Sequence, residues 1–447
     1  MIRRQFLAGT LAVSACQSIP SAREAVAAND PAIEAAIRAY FDPIAARHDL
    51  SGALRIERGG KTTEVRYGFA DWAAQTPIDG HTRFAGASIT KSMTATILLK
   101  LAEQGLIDRG ASVSTYLPEF QHGGTMTLDH VMSHKAGLPR DVPEEERAAF
   151  GEGGLTAWLN AHPPTGTPGE TEAYSNVGYE VLGLIVMRAS GKSYETLAQE
   201  IIFAPLGMTD TSIENQSVNP RSAKPHVVGP PPSEVRAGAN TTLPYGPAGV
   251  SASLADFMRW SRAVRDGTIV QLRGPDGHMT GSVLSFEEAG KQAQFLQGTI
   301  RGSGAGMATF ADDDAVVAFA LNLEAYPLFN AQRILTRIAF GIDPGAPPPR
   351  PAAVALTPAH RELVGTYENG SWGQLKFYDT GEEMRITMLG IGVDHYLTPA
   401  SDGRLVWRGF NFTFSARRDA AGAINGVTIE QQFMEAGPEA NEMNKIA

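Results

Sequence analysis

Cysteine is almost missing from the 447 residues: Cys16 stands alone. One thiol forms neither an intramolecular disulfide nor a thiolate metal cluster, so stability must come from packing. Past the N-terminus no apolar run reaches the roughly eighteen residues of a spanning helix, which argues against membrane-spanning helices. Positive charge is also short. A net charge of -10 and the absence of a Lys/Arg cluster disfavour a nucleic-acid partner. Two common catalytic signatures are absent as well. Gly191-Lys192-Ser193 lacks the upstream glycine of a phosphate loop, and no Gly-x-Ser-x-Gly elbow occurs. His130 and His134 have the spacing of two zinc ligands on a helix, but the accompanying carboxylate and a third ligand are missing. An ordinary packing or capping role is expected for them, with no metal and no cofactor.

What is present begins with an export pattern. Arg3-Arg4-Gln5-Phe6-Leu7 precedes a short apolar run from Phe6 to Ala15, the layout of a secretory signal and similar to a twin-arginine export signal. Val13-Ser14-Ala15-Cys16 resembles a bacterial lipobox, whose cleavage would leave a lipid anchor at Cys16. Ordinary cleavage after Ala25-Val26-Ala27 is the alternative. Residues 1–27 are therefore expected to be an export segment, and the protein periplasmic or anchored in a bacterial envelope. The remaining length suggests two domains. Asp343-Pro344-Gly345-Ala346-Pro347-Pro348-Pro349-Arg350-Pro351 reads as a stiff linker, giving domains over 28–343 and 352–447 around a linker at 344–351. In the second part Leu375/Phe377, Met384/Ile386/Met388 and Phe410/Phe412/Phe414 alternate with polar residues, which predicts about eight short strands in a small antiparallel barrel.

The first part carries the chemistry. Ile89, Met93, Ile97 and Leu101 recur at one helical face, so the segment after Ser88 is predicted to be a helix packed along that side. Ser88 and Lys91 are three apart and share another face. A desolvated amine loses its charge and can then accept the proton that makes a serine oxygen nucleophilic. Tyr174-Ser175-Asn176 follows a Pro/Gly/Thr loop and opens another helix, where loop ends on rigid elements place functional groups. A phenol there can relay a proton if an ammonium favours its phenolate. The Asn176 amide can fix the lysine or donate to a substrate carbonyl.

Ser88-Ile89-Thr90-Lys91, Ser133-His134-Lys135-Ala136-Gly137-Leu138-Pro139, Tyr174-Ser175-Asn176-Val177-Gly178-Tyr179 and Gly207-Met208-Thr209-Asp210-Thr211 occur in this order. Together they resemble the serine β-lactamase-related superfamily, in its class C β-lactamase, D-Ala-D-Ala carboxypeptidase and esterase branch. Pro247 to Phe257 is also similar to that branch. The resemblance implies an α/β (α+β) fold in which an antiparallel sheet flanked by helices meets a helical lobe, with the site in the groove between. It implies that Ser88 is acylated, that Lys91 and Tyr174 move the proton, and that Asn176 contacts substrate. Which of Lys91 and Tyr174 is the base stays open. Leu363-Val364-Gly365-Thr366-Tyr367 resembles the opening of the lipocalin-like domain appended to many members.

The third motif departs from the pattern. The family expects Lys-Thr-Gly or His-x-Gly on the edge strand before two final strands, here Gly306–Ala311 and Ala315–Leu321. Leu296-Gln297-Gly298 fits by position, which puts an apolar residue where the cation belongs; Gly277-His278-Met279-Thr280-Gly281 is the rival placement. With the first, backbone N–H groups of Ser88 and Thr299 are expected to form an oxyanion hole, beside Gly298. An apolar Leu296 weakens recognition of a carboxylate and spares ester or amide cleavage. The leading expectation is an exported serine hydrolase acting on a small-molecule or peptide ester or amide. A β-lactamase or D-Ala-D-Ala peptidase with a divergent third motif is the alternative, and a non-catalytic envelope binding protein is the reading from another class.

Overall fold

The computed structural model describes residues 28–147, 153–213, 219–227, 233–234, 246–274, 276–324, 327–347, 353–369, 373–388, 394–409, 412–431 and 442–446. The export segment, Phe410 and the Pro-rich run from Pro348 to Pro351 lie outside them.

Asp30 starts α1 (Pro31–Ala45) by accepting from the amides of Ala32 and Ile33, and the helix buries Ile37, Tyr40, Phe41 and Ile44. Strands β1 (Gly52–Arg58) and β2 (Lys61–Tyr67) follow. Their turn needs positive φ at both central positions, which Gly59 (57°) and Gly60 (72°) supply without strain. The sheet is completed by β3 (Leu284–Glu288), β4 (Lys291–Ile300), β5 (Ser303–Phe310) and β6 (Ala315–Leu321), in the order β3-β4-β5-β6-β1-β2. Every pairing is antiparallel.

Strand β6 is apolar throughout because it is covered on both faces. Val316, Ala318 and Ala320 join the core under the helical lobe; Val317, Phe319 and Leu321 join the core under α1 and the last helix of this part. The lobe is built on α2 (Ile89–Glu103), α3 (Leu128–Met132), α4 (Asn176–Ser190) and α5 (Leu254–Asp266), while α6 (Leu328–Ala339) closes the opposite face. The expected one-sided burial of α2 is corrected here. Its residues from Ile89 to Leu99 are all buried, since the helix runs between sheet and lobe.

Beyond residue 353, eight strands close a barrel in sequence order: β7 (Gly365–Asn369), β8 (Gly373–Asp379), β9 (Met384–Met388), β10 (Asp394–Pro399), β11 (Leu405–Trp407), β12 (Phe412–Arg418), β13 (Ile424–Gln431) and β14 (Glu442–Lys445). The period-two residues Leu375, Phe377, Met384, Ile386, Phe412 and Phe414 fill its interior, so it is a packed core.

Candidate active site

The chain enters α2 through a tight turn in which Ala87 holds φ 42° without being glycine. The amides of Ile89, Thr90 and Lys91 bond back to the carbonyls of Gly86, Ala87 and Ser88, so the first helical turn is satisfied by backbone. Ser88 occupies the cap position and makes no side-chain cap bond. Its hydroxyl is left for other partners: Oγ lies 2.9 Å from Lys91 Nζ and 2.7 Å from Tyr174 Oη.

Lys91 is fully buried and donates to the carbonyl of Pro247 at 3.1 Å. That carbonyl is held in place by the neighbouring backbone. Gly246 O accepts from Thr94 Oγ1, Val250 N donates to Thr90 Oγ1, and Gly86 N donates to Val250 O. Burial pulls the ammonium down to about 7; Asp141 and Glu180 work against it and Arg140 with it. Tyr174 goes the other way. Burial raises its phenol above the ordinary value, against the lowering effects of the Ser88 hydrogen bond and Arg140, whose guanidinium carbon stands 5.4 Å from the ring centre. The resting site therefore pairs an amine that is readily neutral with a phenol that keeps its proton.

Asn176 begins α4, and its Nδ2 donates to Asp141 Oδ1 at 2.6 Å. Its bond is to Asp141 and none joins it to Lys91. On β4, Gly298 presses on the turn before α2: a Cβ there would lie 1.9 Å from Gly86 O and 2.6 Å from Ser88 N. Thr299 follows it, exposed at the sheet's margin. Leu296 is buried in the core under the lobe and places no polar group at the site. The rival segment Gly277–Gly281 is off the sheet, ahead of β3. Thr280 Oγ1 donates to Met132 O, and Gly281 lies against the backbone of α2.

Two residues that sequence reasoning missed stand beside Tyr174. His134, expected to pack or cap on a helix, lies just past the end of α3 with φ 59° and stacks on the Tyr174 ring at 4.6 Å. Ser282 Oγ lies 3.3 Å from His134 Nε2. His130 instead completes a capping box with Thr127. Among the described residues no group of three or more His, Cys, Asp or Glu is placed to hold a metal ion. A cavity of about 460 Å³ opens beside Gln297 and Thr299, and its wall includes Arg301, Leu328 and, from the barrel, His395 and Gly409.

An antiparallel sheet, a helical lobe and a Ser-Lys-Tyr cluster at the start of the buried helix between them define the β-lactamase-like class of α/β fold. The chain belongs to the Beta-lactamase family, whose family model matches residues 37–338. Over 208 residues it is 27% identical to penicillin-binding protein 4* of Bacillus subtilis (strain 168), covering 43% of this chain and 44% of the relative. Over 184 residues it is 32% identical to the D-alanyl-D-alanine-carboxypeptidase/endopeptidase AmpH of Escherichia coli (strain K12), covering 39% and 46%. The chain thus spans about half the length of the curated relatives it matches. The crystal structure of SurE superposes with a TM-score of 0.59 at 22% identity, covering 93% of this chain and 99% of the other, which is a likeness of fold.

Proposed function

We propose that the protein is an exported serine hydrolase that forms an acyl-enzyme on Ser88 and cleaves an ester or amide. One observation carries the reading: a serine hydroxyl freed from capping sits within hydrogen-bond distance of both a buried amine and a phenol. Neutral Lys91 takes the Ser88 proton as Oγ attacks the carbonyl carbon. Backbone N–H groups of Ser88 and Thr299 face the oxyanion. Collapse breaks the bond to the leaving group, which takes the Tyr174 proton; the Lys91 ammonium then returns a proton to the phenolate. Water repeats the sequence on the acyl-enzyme. Asn176 contacts the substrate through the amide oxygen that its bond to Asp141 leaves available.

The test is a screen of short-chain esters, D-amino-acid amides and the chromogenic cephalosporin nitrocefin, with intact-mass detection of an adduct mapped to Ser88. Ser88→Ala turning over a substrate at the wild-type rate would sink the mechanism.

A second reading, a D-Ala-D-Ala peptidase or β-lactamase, is favoured by the printed activity of AmpH. Stable labelling by a fluorescent penicillin together with nitrocefin turnover would favour it. Export, a lipid anchor at Cys16 and the role of the barrel belong to the proposal, on the strength of the N-terminal pattern and the Pro-rich linker.

A further inference from the structure

The two ends of the Asn176 amide differ chemically, and its partner decides which end is left for a substrate. A carboxylate oxygen only accepts, so the 2.6 Å contact with Asp141 Oδ1 makes Nδ2 the donor. Oδ1 of Asn176 remains an acceptor, and among the described residues nothing donates to it. Asp141 is exposed, and among the described residues its ionic partner is Arg140, whose Nε stands 3.2 Å from Oδ2. A carboxylate oxygen accepts more than one donor, so that contact does not fill it. Two residues along the chain from Tyr174, the site therefore presents acceptors. We propose that Asp141 and Asn176 Oδ1 form a cation subsite that takes the free α-ammonium of an aminoacyl ester or amide, with Asp141 both orienting the Asn176 amide and supplying the charge.

The subsite rests on the acyl-enzyme reading. The segment that carries Asp141 is fastened to the start of α4: Asn176 N donates to Arg140 O at 2.8 Å, and Ser175 Oγ donates to Pro139 O at 2.6 Å. Further along, Arg147 forms a two-pronged pair with the buried Glu180 of α4, at 2.6 and 2.9 Å. The carboxylate is thus in place before a substrate arrives. Its charge opposes the chemistry, since Asp141 favours the ammonium form of Lys91 when acylation needs the neutral amine. A substrate cation beside Asp141 offsets that field. A substrate carboxylate would instead meet the Asp141 charge and the Asn176 lone pairs. Arg140 is engaged with Asp141 and lies over the Tyr174 ring, and the buried Leu296 supplies no cation on β4.

The experiment measures kcat/KM for the D- and L-alanine 4-nitroanilides and for their N-acetyl forms, in which the nitrogen is neutral. A hydrogen bond to a charged group is worth about 10–100-fold, so the free amine of the accepted hand should exceed its acetylated form by that factor. The ratio should fall above about pH 8, where an α-amine loses its proton. Asp141→Asn keeps an oxygen for Asn176 Nδ2 and gives up the charge; it should bring the ratio close to one. Equal losses on the two forms in that variant would make Asp141 a support for Asn176 alone and overturn the subsite, as would a wild-type ratio near one or a ratio that does not change with pH. Turnover of 4-nitrophenyl butyrate through an adduct on Ser88, with neither anilide form cleaved, would also overturn it while leaving the acyl-enzyme standing. Ser88→Ala that cleaves the free-amine anilide at the wild-type rate would instead remove the acyl-enzyme reading beneath it.

Discussion

At the scale of single residues, Lys91 decides when the site can work. An ammonium cannot accept a proton, and burial has moved its loss of charge from 10.5 to about 7. Acylation, measured as kcat/KM, is expected to rise with pH and level off above an ionisation near 7. Lys91→Arg keeps a charge at every accessible pH; it should lose about 10²–10⁴-fold and the rising limb with it. A variant that kept the limb would assign the ionisation to another group. The same burial has a stability consequence. Since the folded pKa lies below the unfolded one, the unfolded chain binds more protons between about pH 7 and pH 10, and the Lys91 contribution makes stability rise with pH there. The buried amine is thus a cost to the fold at neutral pH that the chemistry requires.

At the scale of elements, β4 shows what local pattern can and cannot reveal. The place of Leu296-Gln297-Gly298 ahead of the last two strands was readable, and so were β6 as an apolar run and the Gly59-Gly60 hairpin, because apolar runs and turn chemistry are local properties. The Ser88 to Tyr174 approach was readable only through the ordered motifs. Ser282 was not, because its meeting with His134 depends on two chain reversals at positive φ in residues that carry no local sign of one. The full burial of α2 escaped for a similar reason: Thr90, Ser92, Thr94 and Thr96 are polar and stand between the apolar positions of the helix, yet they are buried. Part of that burial is offset by bonds such as Thr94 Oγ1 to Gly246 O. The glycine of β4 carries the element's prediction. Gly298→Ala must push either strand or turn, since a Cβ would sit 1.9 Å from one backbone atom and 2.6 Å from the Ser88 nitrogen. We expect kcat/KM to fall by at least about 10²-fold, the cost of losing one oxyanion donor. Intact-mass labelling by an active-serine probe should slow in parallel. Wild-type kinetics in that variant would remove β4 from the site.

At the scale of the whole molecule, the barrel reaches the same strand through one carboxylate. Glu324 Oε2 accepts from Gly302 N at 3.0 Å, in the turn that joins β4 to β5 just past Thr299, and Oε1 pairs with His395 on β10. Arg408 adds a second tie, 3.4 Å from the buried carboxylate of Asp49. The two ends of Glu324 can be separated by substitution. Glu324→Gln keeps an acceptor for Gly302 and gives up the charge that holds His395; it should stay within about threefold of wild-type kcat/KM. Glu324→Ala leaves the Gly302 amide without that partner and loosens the turn, an effect of about 1–2 kcal/mol that reads as roughly a 5–30-fold fall. His395→Ala leaves the Gly302 bond in place, so its effect should resemble that of Glu324→Gln. If Glu324→Ala retains full kcat/KM, the turn holds the strand unaided and the barrel's carboxylate link has no part in the chemistry. If His395→Ala falls as far as Glu324→Ala, it is barrel docking, and not the Gly302 bond, that sets the strand.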